Sequence, residues 1–248
     1  MSDQAIRNMD EDEILARIAD WDTPDWAALM ENKYFTPKWV VQFLKRPRAV
    51  SQHAIMEIYN NHQLRRRYRV CFALTMHPNT PPSIALALMN TLRWGDILTV
   101  LRQPRISAAL QSKGVEVIEE RLPRLTLGEK VSLARRAPRP LIRVLRTLNE
   151  PGVLRIVFNN TYFTYEDALY VASYPKTHPT ALGALAGSAK WTRIKEIARA
   201  LIIHPRTPRH AMLPLLRSML PTDWQTLKAD PRVGIYAKRL IDRLIKGH

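Results

Sequence analysis

Apolar residues recur at helical spacing through short segments, and most of those segments open on a threonine or a proline. Ile84, Ala85, Leu88 and Met89 follow Thr80-Pro81-Pro82, and Met212, Leu213, Leu215 and Leu216 follow Thr207-Pro208. Spacings of one, three and four residues put each set on one inward face of a helix. Five threonines, Thr36, Thr80, Thr126, Thr164 and Thr207, open such segments, and three of them are Thr-Pro. A hydroxyl cap with proline in the first turn is a helix start signal. Thr126-Leu127-Gly128-Glu129 has capping-box spacing, and Thr164-Tyr165-Glu166-Asp167 is a looser acidic version. Ahead of Thr36, the pattern of Ile14, Leu15 and Ile18 predicts an amphipathic helix, and Thr23-Pro24 predicts a second helix containing Trp26 and Leu29. Residues 1–9 are expected to be disordered, and 1–32 is read as an acidic capping segment.

The segments have a long period. His77-Pro78-Asn79-Thr80-Pro81 returns as His204-Pro205-Arg206-Thr207-Pro208, and Tyr34-Phe35-Thr36 returns as Tyr162-Phe163-Thr164. Asp96 and Pro104 likewise match Asp223 and Pro231, with offsets of 127 or 128 residues throughout. Most units are read as two short helices and a longer third one, over 62–76, 105–121, 190–203 and 232–246. Three helices in about 40–47 residues is the period of HEAT and armadillo arrays, and three such periods account for the 127–128 offset. The expected fold is therefore all-α: an α-solenoid of about five units over 33–248, starting near 36, 80, 126, 164 and 207. No such unit buries its own apolar face, so neighbours must stack.

A proline followed by a second residue punctuates the units at Pro47-Arg48, Pro78-Asn79, Pro104-Arg105, Pro138-Arg139, Pro175-Lys176, Pro205-Arg206 and Pro231-Arg232. At this point the chain resembles the bacterial leucine-rich-repeat-variant and HEAT-like families. The resemblance is carried by "ALTMHPNTPPSIALALM", "ALIIHPRTPRHAMLPLL" and "KADPRVGIYAKRLIDRLI" and covers roughly residues 33–248. It implies a right-handed solenoid and, for most such arrays, a scaffold rather than an enzyme.

Charge sharpens the functional expectation. Of the net +16, residues 1–31 contribute nine acids against Arg7 and Arg17, so the remainder carries +23. That excess favours an anionic partner: nucleic acid, an acidic protein or an anionic surface. No run of apolar residues is long enough for a membrane span, and the acidic start does not resemble a signal peptide. Cys71 is the single cysteine and lies in an apolar stretch, which reads as a buried thiol in a cytoplasmic protein.

Six of the seven Pro-x loops carry the cations Arg48, Arg105, Arg139, Lys176, Arg206 and Arg232. In a regular stack these form a ridge beside helix N-termini, where cations are disfavoured until an anion binds. Arg65, Arg66 and Arg67 form a second cluster; Arg139, Arg143 and Arg146 a third, spaced for one helix face and suited to successive phosphates. The alternative for each is a solvated helix face. The sequence shows no aromatic-basic interleaving, so base stacking is not expected.

Catalysis is a weaker expectation. Some HEAT-like arrays are DNA glycosylases using Trp and Asp, for which Trp94 with Asp96, Trp191, or Trp224 with Asp223 are the candidates. The matched positions of the two aspartates favour capping roles. His77 and His204 are expected to bond the last turn of a helix, and Gly183 and Gly187 to permit close helix packing. No metal-ligand spacing, phosphate-binding glycine loop or nucleophile elbow occurs, and no cofactor is expected. The leading expectation is non-catalytic binding of nucleic-acid phosphates. The alternatives are a scaffold for an acidic helix or tail and a glycosylase.

Overall fold

The computed structural model describes residues 3–18, 25–46 and 50–246. Every regular element among them is helical. Two compact units divide the chain, Met1–Glu120 and Arg121–His248. The first holds α1 (Asp3–Asn8), α2 (Glu11–Ile18), α3 (Trp26–Met30), α4 (Pro37–Phe43), α5 (Gln52–Asn60), α6 (His62–Arg65), α7 (Tyr68–Met76), α8 (Pro82–Met89), α9 (Trp94–Leu101) and α10 (Ala108–Arg121), whose last residue crosses the boundary. The second opens on a 3-10 turn (Leu122–Arg124). It continues with α11 (Leu127–Arg136), α12 (Arg139–Leu145), α13 (Pro151–Asn159), α14 (Tyr165–Ser173), α15 (Pro179–Ala186), α16 (Ala189–Thr192), α17 (Lys195–Ile203), α18 (Arg209–Arg217), α19 (Pro221–Ala229) and α20 (Ile235–Lys246).

Each unit lays out its helices in the same order. The first residues of α2 and α4 lie 128 positions before those of α12 and α14, and α5 to α10 each start 127 before α15 to α20. One residue is therefore gained between α4 and α5, where Pro47-Arg48 falls outside the described residues. The same pairs pack in both units: α1 on α3 and α11 on α13, α4 on α7 and α14 on α17, α7 on α8 and α17 on α18.

Hydrogen bonds reproduce the correspondence in detail. The buried Asn32 amide donates to the carbonyls of Ile6 and Met9 at 2.8 and 2.9 Å and accepts from Tyr34 N–H at 2.8 Å. Asn160 donates to the carbonyls of Ala134 and Ala137 at 2.8 and 3.2 Å and accepts from Tyr162 N–H at 2.8 Å. Both amides therefore tie the end of a unit's first helix to the loop after its third. The stretch before Thr36 thus shares its layout with the stretch before Thr164. Disorder is expected over 1–9, of which residues 1–2 lie outside the described residues; Asp3–Asn8 instead form a helix, with Ile6 in it and Met9 just after it both buried. The sequence pattern missed it because α1 is only six residues long, shorter than a periodicity can register. The Thr23-Pro24 start lies outside the described residues; Asp25 caps α3 by accepting from Ala27 and Ala28 N–H.

The His-Pro-x-Thr-Pro copies fold as one locked turn. Thr80 donates its hydroxyl to the Leu74 carbonyl and Thr207 to the Leu201 carbonyl, both at 2.6 Å. These hydroxyls therefore close the helix that ends, while Pro81 and Pro208 cap the helix that begins. This differs from the expected N-cap role, which does hold at Thr126 and Thr164, where Glu129 and Asp167 complete capping boxes. The histidines differ from expectation at Nδ1, while the Tyr174 carbonyl that His204 reaches belongs to the C-cap of α14. Nδ1 of His77 and of His204 accepts from the N–H of Asn79 and Arg206 in the following loop, and the far nitrogen of His204 lies 2.9 Å from the Tyr174 carbonyl. Burial pushes the His77 imidazole below its ordinary range, opposed by the Arg46 backbone. Thr207→Val is expected to lower stability by about 1 kcal/mol, the net worth of the lost hydrogen bond, with Thr207→Ser near wild type in urea unfolding. Equal midpoints for the Val and Ser variants would remove this role.

Two expected long helices are broken. Residues 62–76 divide into α6 and α7 with Arg67 as an extended N-cap, and 190–203 divides into α16 and α17 at Ile194. The break lets short α6 and α16 bury Leu64 and Trp191 at matched positions. Trp191 donates its indole N–H to the Phe158 carbonyl at 2.8 Å and packs on Phe163 at 5.2 Å. In the first unit Trp39, Phe43, Ile55 and Leu74 are fully buried, and Trp26 meets Phe43 edge-on at 5.3 Å. Ile84, Ala85, Leu88, Met89, Met212, Leu215 and Leu216 are buried as expected, while Leu213 is half-buried. Cys71 is buried, which raises its thiol pKa. Among the described residues no helix is long and apolar enough to cross a membrane.

Candidate anion-binding site

The division into units partitions the charge. Arg121–His248 holds 23 Lys and Arg against 8 Asp and Glu, a net +15, whereas Met1–Glu120 holds 15 against 14, a net +1. The acids of 1–31 offset the cations of their own unit, and almost the whole excess belongs to the second.

Candidates in the first unit fall in three separate stretches of chain, Arg48, Arg65–Arg67 and Arg105. Arg48 lies outside the described residues. Arg65 ends α6, Arg66 caps it and Arg67 opens α7, all exposed. Arg65 lies over the Tyr59 ring at 5.4 Å. Arg105 is exposed in the turn before α10.

In the second unit the expected Arg139-Arg143-Arg146 stripe is split by a carboxylate. Asp167, in the first turn of α14, has a side chain 1% exposed. It pairs with Arg139 and, at 2.5 Å, with Arg146. It also accepts from the backbone N–H and hydroxyl of Thr164, each at 3.1 Å. Burial works to raise the Asp167 pKa, but the Thr164 N–H and the Arg139 guanidinium outweigh it and hold the carboxyl below its usual range. Arg139 further donates to the Tyr162 carbonyl at 3.1 Å. Two of the three arginines thus brace α12 against α14. Arg143 is exposed on that face, and the Arg139 side chain keeps 41% of its surface in water.

The Pro-x loops fare differently. Pro175, Pro205 and Arg232 line one cleft of about 480 Å³, together with Arg199, His204 and an apolar floor of Ala172, Ala200 and Ile203. Three of the expected ridge loops therefore converge. Arg206 donates to the Lys176 carbonyl at 3.2 Å, fastening two of them, and both side chains are exposed. Asp230 sits among the cations: it meets Arg232 through Nε at 3.0 Å and Nη2 at 2.7 Å, and Arg199 at 3.2 Å. Its pKa is held far down, first by the Arg232 side-chain bond and next by the Arg232 N–H. One carboxylate thus orders two guanidiniums without neutralising both. A cation placed beside a helix start here carries its own counter-ion, which answers the dipole cost anticipated for the ridge.

Tertiary packing also creates the aromatic-basic pairing that the linear sequence lacks. Arg146, the C-cap of α12, lies 3.8 Å over the Tyr170 ring. Tyr170 stacks on Tyr174 at 5.0 Å with planes 12° apart. Both tyrosines stay well exposed. The signal that would have found the pair is the i, i+4 spacing of Tyr170 and Tyr174 on one exposed face of α14.

The glycosylase candidates are engaged elsewhere. Asp96 accepts from the Tyr68 hydroxyl, whose pKa is raised by burial and by that bond. Asp223, its counterpart, pairs with Lys195 at 2.5 Å. Trp224 is buried and donates to the Leu216 carbonyl at 2.9 Å, so it and Trp191 are both core residues. Trp94 is half-buried in the first turn of α9. Gly183 abuts Pro208, which a Cβ would meet at 3.4 Å, whereas Gly187 meets only its own helix. Both line a second groove of about 700 Å³ with Arg155, Asn159 and His210. Comparison with protein-family models, with curated proteins and with solved structures finds no match.

Proposed function

We propose that this chain is a non-catalytic helical-repeat binding protein, an α-solenoid of HEAT- or armadillo-like units, that holds nucleic-acid phosphates on Arg121–His248. The observation that carries the reading is the partition of charge: a net +15 in one unit, with three Pro-x loops converging on a cleft that contains Arg199 and Arg232. Phosphate contacts of this kind position a polyanion without reading its sequence. Lys176, Arg206, Arg143 and Arg232 are the candidate contacts, because they are exposed. Arg139 and Arg146 serve the Asp167 brace instead.

The test is fluorescence anisotropy of the full chain with labelled duplex DNA, single-stranded DNA and RNA. Affinity is expected to fall at least about 100-fold between about 50 and 200 mM salt, as release of several counterions requires. Asp230→Asn keeps an oxygen for the Arg232 N–H but removes the charge that Arg199 and Arg232 share. It is expected to bind about tenfold more tightly at about 50 mM salt, with a salt slope steeper by about one. Absence of binding to any of the three at low salt would overturn the proposal and leave the basic unit as a docking face for an acidic protein.

A further inference from the structure

The basic surface of the second unit carries a feature that phosphate binding alone does not use. The Arg146 guanidinium lies 3.8 Å over the Tyr170 ring, and the Tyr174 ring is stacked on Tyr170 at 5.0 Å. At those separations the guanidinium and the second ring cannot share one face of Tyr170, so the three groups form a ladder. Its first rung is fixed. Arg146 is mostly buried and held by Asp167. Its last rung, Tyr174, is 40% exposed and has an outer ring face turned away from the stack.

The backbone at the end of the ladder adjoins the cleft. Ser173 and Pro175, on either side of Tyr174, both line it. The Tyr174 carbonyl is bonded to His204, another lining residue, which fixes the backbone from which the ring projects. Arg199 and Arg232 sit in the same cleft, and Lys176 follows two residues after Tyr174. An exposed aromatic ring whose two chain neighbours line a cleft holding Arg199 and Arg232 offers the combination of stacking surface and cations that binds unpaired bases along with their backbone. A duplex keeps its bases stacked on each other and presents only phosphate and groove edges, so it has no use for such a platform.

We propose that this surface binds single-stranded nucleic acid, with a base stacked on the outer face of Tyr174 and the adjoining phosphates in the Arg199-Arg232 cleft. This rests on the phosphate-binding reading above and goes further by naming the strand state and the stacking residue. Stacking accepts any base, so no sequence preference accompanies it.

The experiment compares two labelled strands of about a dozen nucleotides, one of thymidine and one of the same length with every base removed, bound to the full chain in anisotropy. The thymidine strand is expected to bind about five- to tenfold more tightly than the abasic strand. Tyr174→Ala is expected to abolish that difference while leaving abasic binding unchanged, and Tyr174→Phe to preserve it. Tyr174 ends the ladder on the surface, so its truncation leaves the Asp167 brace intact; matching circular dichroism and unfolding midpoints check this. Equal binding of both strands by the wild type, or a base-dependent difference that survives Tyr174→Ala, overturns the stacking inference while phosphate binding stands. Failure of both strands and of duplex DNA to bind at low salt overturns the two together.

Discussion

Asp167→Ala is expected to destabilise the second unit by roughly 3–5 kcal/mol, the range for breaking a buried ion pair by removing one partner. The carboxylate joins the first turn of α14 to both ends of α12. It completes the capping box at Thr164, holds Arg139 at the start of α12 and Arg146 at its C-cap, and is almost wholly shielded from water. Without it Arg146, 13% exposed at the side chain, retains a buried charge with no counter-ion. Arg139, being 41% exposed, recovers water and softens the loss, so the lower part of the range applies if Arg146 can turn outward. Asp167→Asn keeps the volume and the cap oxygen but not the charge, and should lie between wild type and alanine. Urea unfolding at neutral pH checks the order. A loss under about 1 kcal/mol for Asp167→Ala would show that the brace contributes no more than an exposed pair does.

The sign of the pH effect follows from the same site. The Asp167 carboxyl is held below its ordinary value in the folded chain. Its stabilising contribution is therefore present above the unfolded carboxylate pKa of about 3.9 and is lost as pH falls through the lower folded value. The stability gap between wild type and Asp167→Asn should be constant near neutrality and close below about pH 4. A gap that persists unchanged into stronger acid would mean that charge is not what the brace depends on.

The second large effect is expected at Asn160. Its side chain satisfies the carbonyls of Ala134 and Ala137 and the N–H of Tyr162 in a buried position. Asn160→Ala orphans three backbone groups, two of them at the end of α11, at about 1–3 kcal/mol for each that water cannot reach. A total of roughly 3 kcal/mol is expected, since Tyr162 is exposed and its loop can hydrate. Asn160→Asp cannot donate to the two carbonyls and should be no better than alanine. The counterpart Asn32→Ala tests whether the first unit depends on the same device. A near-neutral Asn160→Ala in chemical unfolding would mean that the loop after α13 is held by packing of Phe163 against Phe158 and Trp191 instead.

Much of this architecture was legible in the sequence because it depends on short-range chemistry. Helix starts at Thr126 and Thr164 follow from a hydroxyl and a carboxylate three residues apart, which close a ring within one turn. The inward apolar positions of α8 and α18 follow from spacing alone. Other readings failed where one motif had two local uses. Thr80 and Thr207 precede prolines like ordinary caps, yet their hydroxyls turn back to the preceding helix, six residues behind. The expected helices over 62–76 and 190–203 are broken at Arg67 and Ile194, whose extended backbones a period of apolar positions does not register, and the short helices before the breaks bury Leu64 and Trp191.

By itself the sequence determined an all-helical chain and a repeat offset of 127 or 128 residues, since propensity, capping and periodicity act within a few residues of each other. It also determined that cations exceed acids, which needs only counting. Which cations face a ligand was decided by the tertiary structure. Asp167 stands 28 and 21 residues from Arg139 and Arg146, and Asp230 stands 31 from Arg199, so neither neutralisation has a signature in local spacing. The same holds for the Arg146-Tyr170-Tyr174 ladder and for the cleft that gathers Pro175, Pro205 and Arg232. Electrostatic pairing and stacking depend on distance in space, and only the packing of α12, α14, α17 and the loop before α20 set those distances.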